Sequence, residues 1–130
     1  MSCGITCSVT ATRPSVTRAY VGASGFSYPE WRGSFYPADA KPPEFLSHYA
    51  ERLGALELNN TFYQSPSASK VATWVAATPP SFRFSVKAQR GGSWRALSGE
   101  PDPGLPWLTA PYRLFGERLG TVLVRLPDNM

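Results

Sequence analysis

Four short segments of the chain alternate between apolar and polar residues, which is the period of a β-strand with one buried face. These segments are residues 19–24, 55–61, 82–88 and 120–126. One face of the four segments is apolar and comprises Val21, Ala23, Leu56, Leu58, Phe82, Phe84, Val86, Val122, Val124 and Leu126. The opposite face is small or polar and comprises Tyr20, Gly22, Ser24, Glu57, Asn59, Arg83, Ser85, Lys87, Thr121 and Arg125. The pattern therefore predicts four strands.

Helical periodicity fills two of the intervals and the end of the third. The predicted helices lie at residues 43–53, 67–77 and 111–119. In the first, Phe45, Tyr49 and Leu53 recur on one face, and Ser67 is suited to cap the second. Residues 89–110 are rich in Gly and Pro, and we expect a long loop there with little regular structure, of the kind that is either functional or disordered.

Strands that alternate with helices favour an α/β fold with a parallel sheet. A doubly wound sheet would show continuous apolar strands, whereas alternating faces fit a (β/α) barrel with a polar interior; an open sheet with one wet face is the alternative. A complete barrel has eight strands. The sequence thus predicts a partial TIM (β/α) barrel of about four parallel strands, a truncated N-terminal half at residues 19–130, after a flexible tail at residues 1–18. A second copy or another partner supplying the remaining strands is also open.

Composition narrows the functional classes. No stretch approaches the roughly 20 apolar residues that span a bilayer, and 13 basic against 9 acidic residues give a mild net charge of +4. Cys3 and Cys7 are the two cysteines and His48 is the one histidine, so we expect no metal site, no disulfide framework and no cofactor. A cytoplasmic protein that does not bind membranes is predicted, and the oligomeric state is left open.

Polar residues fall where the predicted strands end, and ligands bind at the C-terminal ends of parallel strands in barrels. Glu57 and Lys87 are the candidate catalytic pair, because a carboxylate inside a barrel needs a partner. The candidate ligand-binding residues are Ser24, Tyr28, Asn59, Thr61 and Arg125. Together they would bind a small polar or anionic molecule. A polar layer that only satisfies itself is the alternative.

Three further patterns leave alternatives open. Residues 22–28 could cradle an anion or form a tight turn. The aromatic residues of the first two loops could form a stacking wall for a sugar or base, or pack the loops onto the barrel rim; they are Phe26, Tyr28, Trp31, Phe35, Tyr36, Phe62 and Tyr63. Lys87, Arg90, Trp94 and Arg95 resemble a small nucleic-acid patch, or a solvated loop.

Four segments, at residues 19–37, 55–67, 73–88 and 117–127, together resemble the YecE-like family, also called domain of unknown function 72 (DUF72). They read AYVGASGFSYPEWRGSFYP, ALELNNTFYQSPS, TWVAATPPSFRFSVKA and ERLGTVLVRLP. The resemblance implies a TIM barrel about twice this length, without a settled activity. Where the family usually has a Thr-His pair this chain has Ser93 and Trp94, and Arg125 replaces a usual Gln. The resemblance therefore also leaves open a diverged member or a non-functional gene fragment.

Overall fold

The computed structural model describes residues 18–98 and 104–126. Four strands form one sheet in the order β1-β2-β3-β4, and each neighbouring pair is parallel. The strands are β1 (Gly22–Ser24), β2 (Ala55–Leu58), β3 (Arg83–Lys87) and β4 (Leu119–Leu123). Among the described residues the sheet is open, with β1 and β4 at its edges. The prediction of a partial (β/α) barrel with four parallel strands is confirmed.

The register brings like residues into rows across the sheet. Ser24 pairs with Glu57, Glu57 with Ser85, and Ser85 with Thr121. Because side chains alternate along a strand, this row lies on one side of the sheet, its polar face. The residues between them, Leu56, Leu58, Phe84 and Val86, are buried on the other side. The predicted division into one apolar and one polar face therefore holds in β2 and β3.

Two apolar-face residues at the ends of the predicted strands depart from this division. Val21 is 67% exposed and Leu126 is 63% exposed. Both lie outside the observed strands, since β1 begins at Gly22 and β4 ends at Leu123. The period-2 pattern extends past the observed strands at both edges of the sheet, so the expectation that these two side chains are buried was wrong.

Helices cover the apolar face. A 3-10 helix (Pro42–Glu44) leads into α1 (Phe45–Ala50), and α2 spans Ala68–Ala76. The Ser67 hydroxyl accepts a hydrogen bond from the Lys70 amide at 3.3 Å, which confirms the predicted cap. Short 3-10 helices also follow β1 (Pro29–Trp31) and β2 (Asn60–Phe62). A longer 3-10 helix (Ala110–Arg118) precedes β4, where the sequence predicted a regular helix. Gly116 adopts φ 56° within it and breaks the regular helix.

The predicted loop at residues 89–110 is largely helical, which corrects the sequence-based prediction. It contains α3 (Arg90–Leu97) and α4 (Gly104–Thr109). The Gln89 side chain caps α3 by accepting a hydrogen bond from the Gly92 amide at 2.6 Å. A Cβ at Gly92 would lie 2.6 Å from Cδ1 of the buried Leu108, so glycine allows the two helices to pack closely. Tertiary packing thus outweighs the poor local helix propensity.

The core between sheet and helices is strongly aromatic. Phe45, Tyr49, Phe82, Phe84 and Phe115 are almost fully buried in it. The Tyr49 hydroxyl accepts a hydrogen bond from the Ala23 amide at 2.6 Å and donates one to the Ala55 carbonyl at 2.8 Å. A side chain of α1 therefore joins β1 to β2 from behind the sheet and holds the short edge strand in place.

Candidate functional site

Four polar side chains on or just after three consecutive strands are joined by three hydrogen bonds and one ion pair at the C-terminal edge of the sheet. We call Ser24, Glu57, Asn59 and Lys87 the polar cluster. Lys87 Nζ donates to Asn59 Oδ1 at 2.8 Å, and Asn59 Nδ2 donates to Ser24 Oγ. Ser24 Oγ in turn donates to Glu57 Oε1 at 3.1 Å, and Lys87 Nζ lies 3.4 Å from that same oxygen. The predicted pairing of Glu57 with Lys87 is confirmed.

The sheet itself positions the polar cluster. Parallel strands in register carry residues of equal height to one edge, so Ser24 and Glu57 meet directly. Asn59 and Lys87 follow two residues after Glu57 and Ser85, which places them one row nearer the C-terminal edge. The Lys87 and Glu57 side chains are 33% and 31% exposed. The polar cluster is thus held by the fold and still reachable from solvent.

Tyr28 joins the polar cluster from the loop after β1. Its hydroxyl donates to the Ser24 carbonyl at 2.8 Å, and the Gly25 amide donates to the Glu57 carbonyl at 2.9 Å. Gly25 has φ 83°, a conformation that favours glycine, and a Cβ there would lie 2.5 Å from the Tyr28 hydroxyl oxygen. The loop therefore turns tightly over the end of β1 and places the Tyr28 hydroxyl beside the polar cluster.

The aromatic residues of the first loop serve mainly to pack it. Trp31 stacks obliquely on Tyr28 with centroids 4.6 Å apart, and the buried Tyr36 lies parallel to Phe45 at 4.6 Å. Burial raises the pKa of Tyr36 to about 12, with a smaller contribution from neighbouring Tyr49. Tyr63, in contrast, is exposed. This geometry favours the packing interpretation over a stacking wall for most of the set.

Thr61 and Arg125, the other two predicted ligand-binding residues, are placed differently. Thr61 is 1% exposed, and its hydroxyl lies 2.8 Å from the Leu58 carbonyl and 2.7 Å from the Lys87 carbonyl. It ties the end of β2 to the end of β3 and so supports Lys87 from behind. Arg125 lies two residues beyond β4 and is exposed. A ligand contact for either residue stays a prediction.

Two recesses share Asn60, Lys70 and Trp74, and the larger is also lined by Asn59 of the polar cluster. Sequence reasoning did not identify them. The larger, about 400 Å³, is lined by the loop at residues 25–28 together with Pro42, Leu58, Asn59, Asn60, Lys70 and Trp74. The smaller, about 290 Å³, is lined by Asn60, Thr61, Gln64, Ser65, Pro66, Ser67, Lys70 and Trp74. Lys70 and Trp74 lie one turn apart on α2, and no sequence signal distinguished this pair from an ordinary helix face.

The remaining predicted features fall on α3 or on its flanks. Arg90, Trp94 and Arg95 are exposed on this helix, whereas Lys87 points into the polar cluster. The basic and aromatic patch predicted from sequence is therefore divided. Ser93, at the position of the family's usual threonine, is 2% exposed and donates to the Gln89 carbonyl at 2.9 Å. The Ser93 hydroxyl thus forms a hydrogen bond at the start of α3.

Within residues 18–98 and 104–126, no group of three or more His, Cys, Asp or Glu side chains could hold a metal ion. Over the same residues, no helix is both long and apolar enough to cross a bilayer. Cys3 and Cys7 lie outside the described residues, as does the predicted tail apart from Arg18. The polar cluster, with Glu57 and Lys87, is the main group of ionisable side chains on the described sheet.

The fold and the edge of polar residues define a parallel α/β protein of the partial-barrel class. Residues 20–130 match the family model described as "Protein of unknown function DUF72", and the chain belongs to this family. The resemblance inferred from the four sequence segments is therefore confirmed. The family's description names no activity, so membership establishes the fold and leaves the chemistry to the residues of the site.

Individual relatives agree with this assignment. The UPF0759 protein YunF of Bacillus subtilis is 32% identical over 72 residues, which cover 55% of this chain and 24% of that protein. A solved DUF72 family protein of Thermotoga maritima matches with a TM-score of 0.64 and 33% identity over 83% of this chain and 44% of that one. One of Enterococcus faecalis matches with a TM-score of 0.54 and 24% identity, covering 77% and 36%. The chain thus spans less than half the length of these relatives.

Proposed function

We propose that the polar cluster binds a small polar molecule at the C-terminal ends of the strands. The observation that carries this proposal is the set of Ser24, Glu57, Asn59 and Lys87, joined by hydrogen bonds and one ion pair and about a third exposed at its charged members. One member, Asn59, lines a recess of about 400 Å³. That volume lies in the range of small-molecule sites, about 300–1,000 Å³. Tyr28 adds a phenol and an aromatic edge to the same recess.

The balance of charge in the polar cluster selects the chemistry of the bound group. Lys87 is compensated by Glu57 at 3.4 Å, so the pair presents a donor and an acceptor side by side with no net charge. A hydroxyl group can both donate and accept, and it therefore complements such a pair. A ligand with neighbouring hydroxyls is favoured over an isolated anion at this point.

The same pair can move a proton. A carboxylate accepts a proton from a ligand hydroxyl, and an adjacent ammonium stabilises the resulting negative charge. Glu57 would act as base or positioning carboxylate, and Lys87 as acid or electrostatic anchor. Asn59 and Ser24 orient both groups through their hydrogen bonds. These roles define an acid–base site without specifying a reaction.

Thermal-shift measurements with a panel of sugars, polyols and their acid and phosphate derivatives test the proposal. At least one compound is expected to raise the melting temperature of the wild type but not of Lys87→Met. Arg95→Met removes one exposed positive charge from α3 and should behave like the wild type. A shift that persists in Lys87→Met contradicts the proposal. A salt-dependent retention on RNA, lost on changing Arg90, Trp94 and Arg95 together, would instead support the nucleic-acid alternative.

A further inference from the structure

Lys70 places a positive charge on the wall of the recess that Asn59 also lines. Lys70 is exposed on the first turn of α2, and its ammonium lies 5.7 Å from the centre of the Trp74 ring. Two ion pairs seen among the described residues join His48 with Glu51 and Lys87 with Glu57, and neither involves Lys70. A cation–π contact holds an ammonium in place while leaving its charge available to an anion.

Lys70 also lies where the two recesses meet. It lines both of them, together with Asn60 and Trp74, and it is the one charged residue lining either recess. No carboxylate borders these spaces in the described part of the chain. An anion entering here would meet one ammonium and the amide groups of Asn60 and Gln64, with no negative side chain on the recess wall.

The cation in these recesses is suited to a phosphoryl group. The two-pronged guanidinium of arginine matches planar groups bidentately, whereas a lysine ammonium binds an anion such as phosphate as a point charge. Lysine alone supplies the charge in these recesses. The larger recess is also lined by Asn59 and Tyr28, so a molecule seated in it contacts Lys70 and one member of the polar cluster, Asn59.

We infer that the ligand of the polar cluster is a phosphorylated polyhydroxylated molecule, whose phosphoryl group is bound by Lys70 and whose hydroxyl groups contact Asn59, the cluster member that lines the recess and accepts a hydrogen bond from Lys87. This inference rests on the proposed function and adds the class of ligand. It assigns the anion to α2 and not to Lys87, whose charge Glu57 already neutralises at 3.4 Å. Lys70 and Asn60 then determine specificity for the phosphorylated form.

The test is a titration followed by two-dimensional amide NMR at constant ionic strength, with inorganic phosphate, ribose and ribose 5-phosphate as probes. Phosphate is expected to shift the amides of Asn60 and residues 67–70 saturably. Lys70→Met should weaken its binding about tenfold, the size of a lost charge-assisted hydrogen bond. Lys70→Arg should retain most of it, and Arg95→Met should bind as the wild type does.

Ribose 5-phosphate is expected to bind at least about tenfold more tightly than either ribose or phosphate, because both halves of the site are then occupied. Equal phosphate shifts in wild type and Lys70→Met, or shifts that sodium chloride reproduces, would overturn the inference. Sugar binding that depends on Lys87 but gains nothing from the phosphoryl group would overturn the inference and leave the proposed function standing.

Discussion

Removing Lys87 gives a measurable test of how the polar cluster is held together. Nζ of Lys87 lies 3.4 Å from Glu57 Oε1 and 2.8 Å from Asn59 Oδ1. At that ion-pair distance the Coulomb energy is about 1 kcal/mol in the dielectric of water and about 5 kcal/mol at an effective dielectric constant of about 20. Both groups are about a third exposed, so screening by solvent sets the lower value.

The single and double variants should therefore differ in a defined way. Glu57→Gln loses the ion pair and should cost about 1 kcal/mol of unfolding free energy. Lys87→Met loses the ion pair and the hydrogen bond to Asn59, so the expected cost is about 2 kcal/mol. The double variant should cost about 2 kcal/mol, which gives a coupling energy of about 1 kcal/mol.

Urea unfolding followed by circular dichroism measures these free energies. The coupling should shrink in 1 M sodium chloride, where the Debye length is about 3 Å. Glu57→Gln combined with Arg95→Met is the matched control, and its two effects should add. If Glu57→Gln and Lys87→Met also add to within about 0.3 kcal/mol, the two side chains do not form the pair described.

Three other predictions concern the frame of the site. A Cβ at Gly22 would overlap the carbonyl oxygen of Ala55, so Gly22→Ala should detach β1 from β2. Detachment would appear as rapid hydrogen exchange of the Gly25 amide, which donates to the Glu57 carbonyl, and unchanged protection would refute the prediction. Tyr49→Phe leaves an amide of β1 and a carbonyl of β2 unpaired and should cost about 2 kcal/mol on urea unfolding, and a loss below about 0.5 kcal/mol would contradict that role. The pKa of Tyr36 is raised from 10.0 to about 12, so the stability that depends on its protonated hydroxyl is present below pH 10 and is lost as the pH rises toward 12. Over that range the free energy of unfolding should fall by about 2 kcal/mol less in Tyr36→Phe than in the wild type. Identical pH profiles would argue against it.

The strands and three members of the polar cluster could be predicted because both follow from the alternation of polar and apolar residues along a strand. Glu57, Asn59 and Lys87 alternate with the buried Leu56, Leu58 and Val86, and parallel pairing then brings their C-terminal ends together. Alternation continues past the paired residues, however. The sequence pattern therefore extended the edge strands to Val21 and Leu126, which are exposed.

Tertiary contacts explain what the pattern could not predict. Gly92 lowers local helix propensity, yet its small size lets Leu108 pack against α3. Lys70 and Trp74 read as an ordinary helix face, and only the fold places them against Asn60 beside the polar cluster. Residues that converge from separate elements leave no local signal in the sequence.

The central claim is that three parallel strands bring Ser24, Glu57, Asn59 and Lys87 into mutual contact at one edge of the sheet. Side-chain nuclear Overhauser effects in a selectively labelled sample test it most directly. Cross-peaks are expected between the Asn59 side-chain amide and Ser24 Hβ, and between Lys87 Hε and Glu57 Hγ. Their absence in a sample whose β2–β3 backbone contacts are intact would contradict the account.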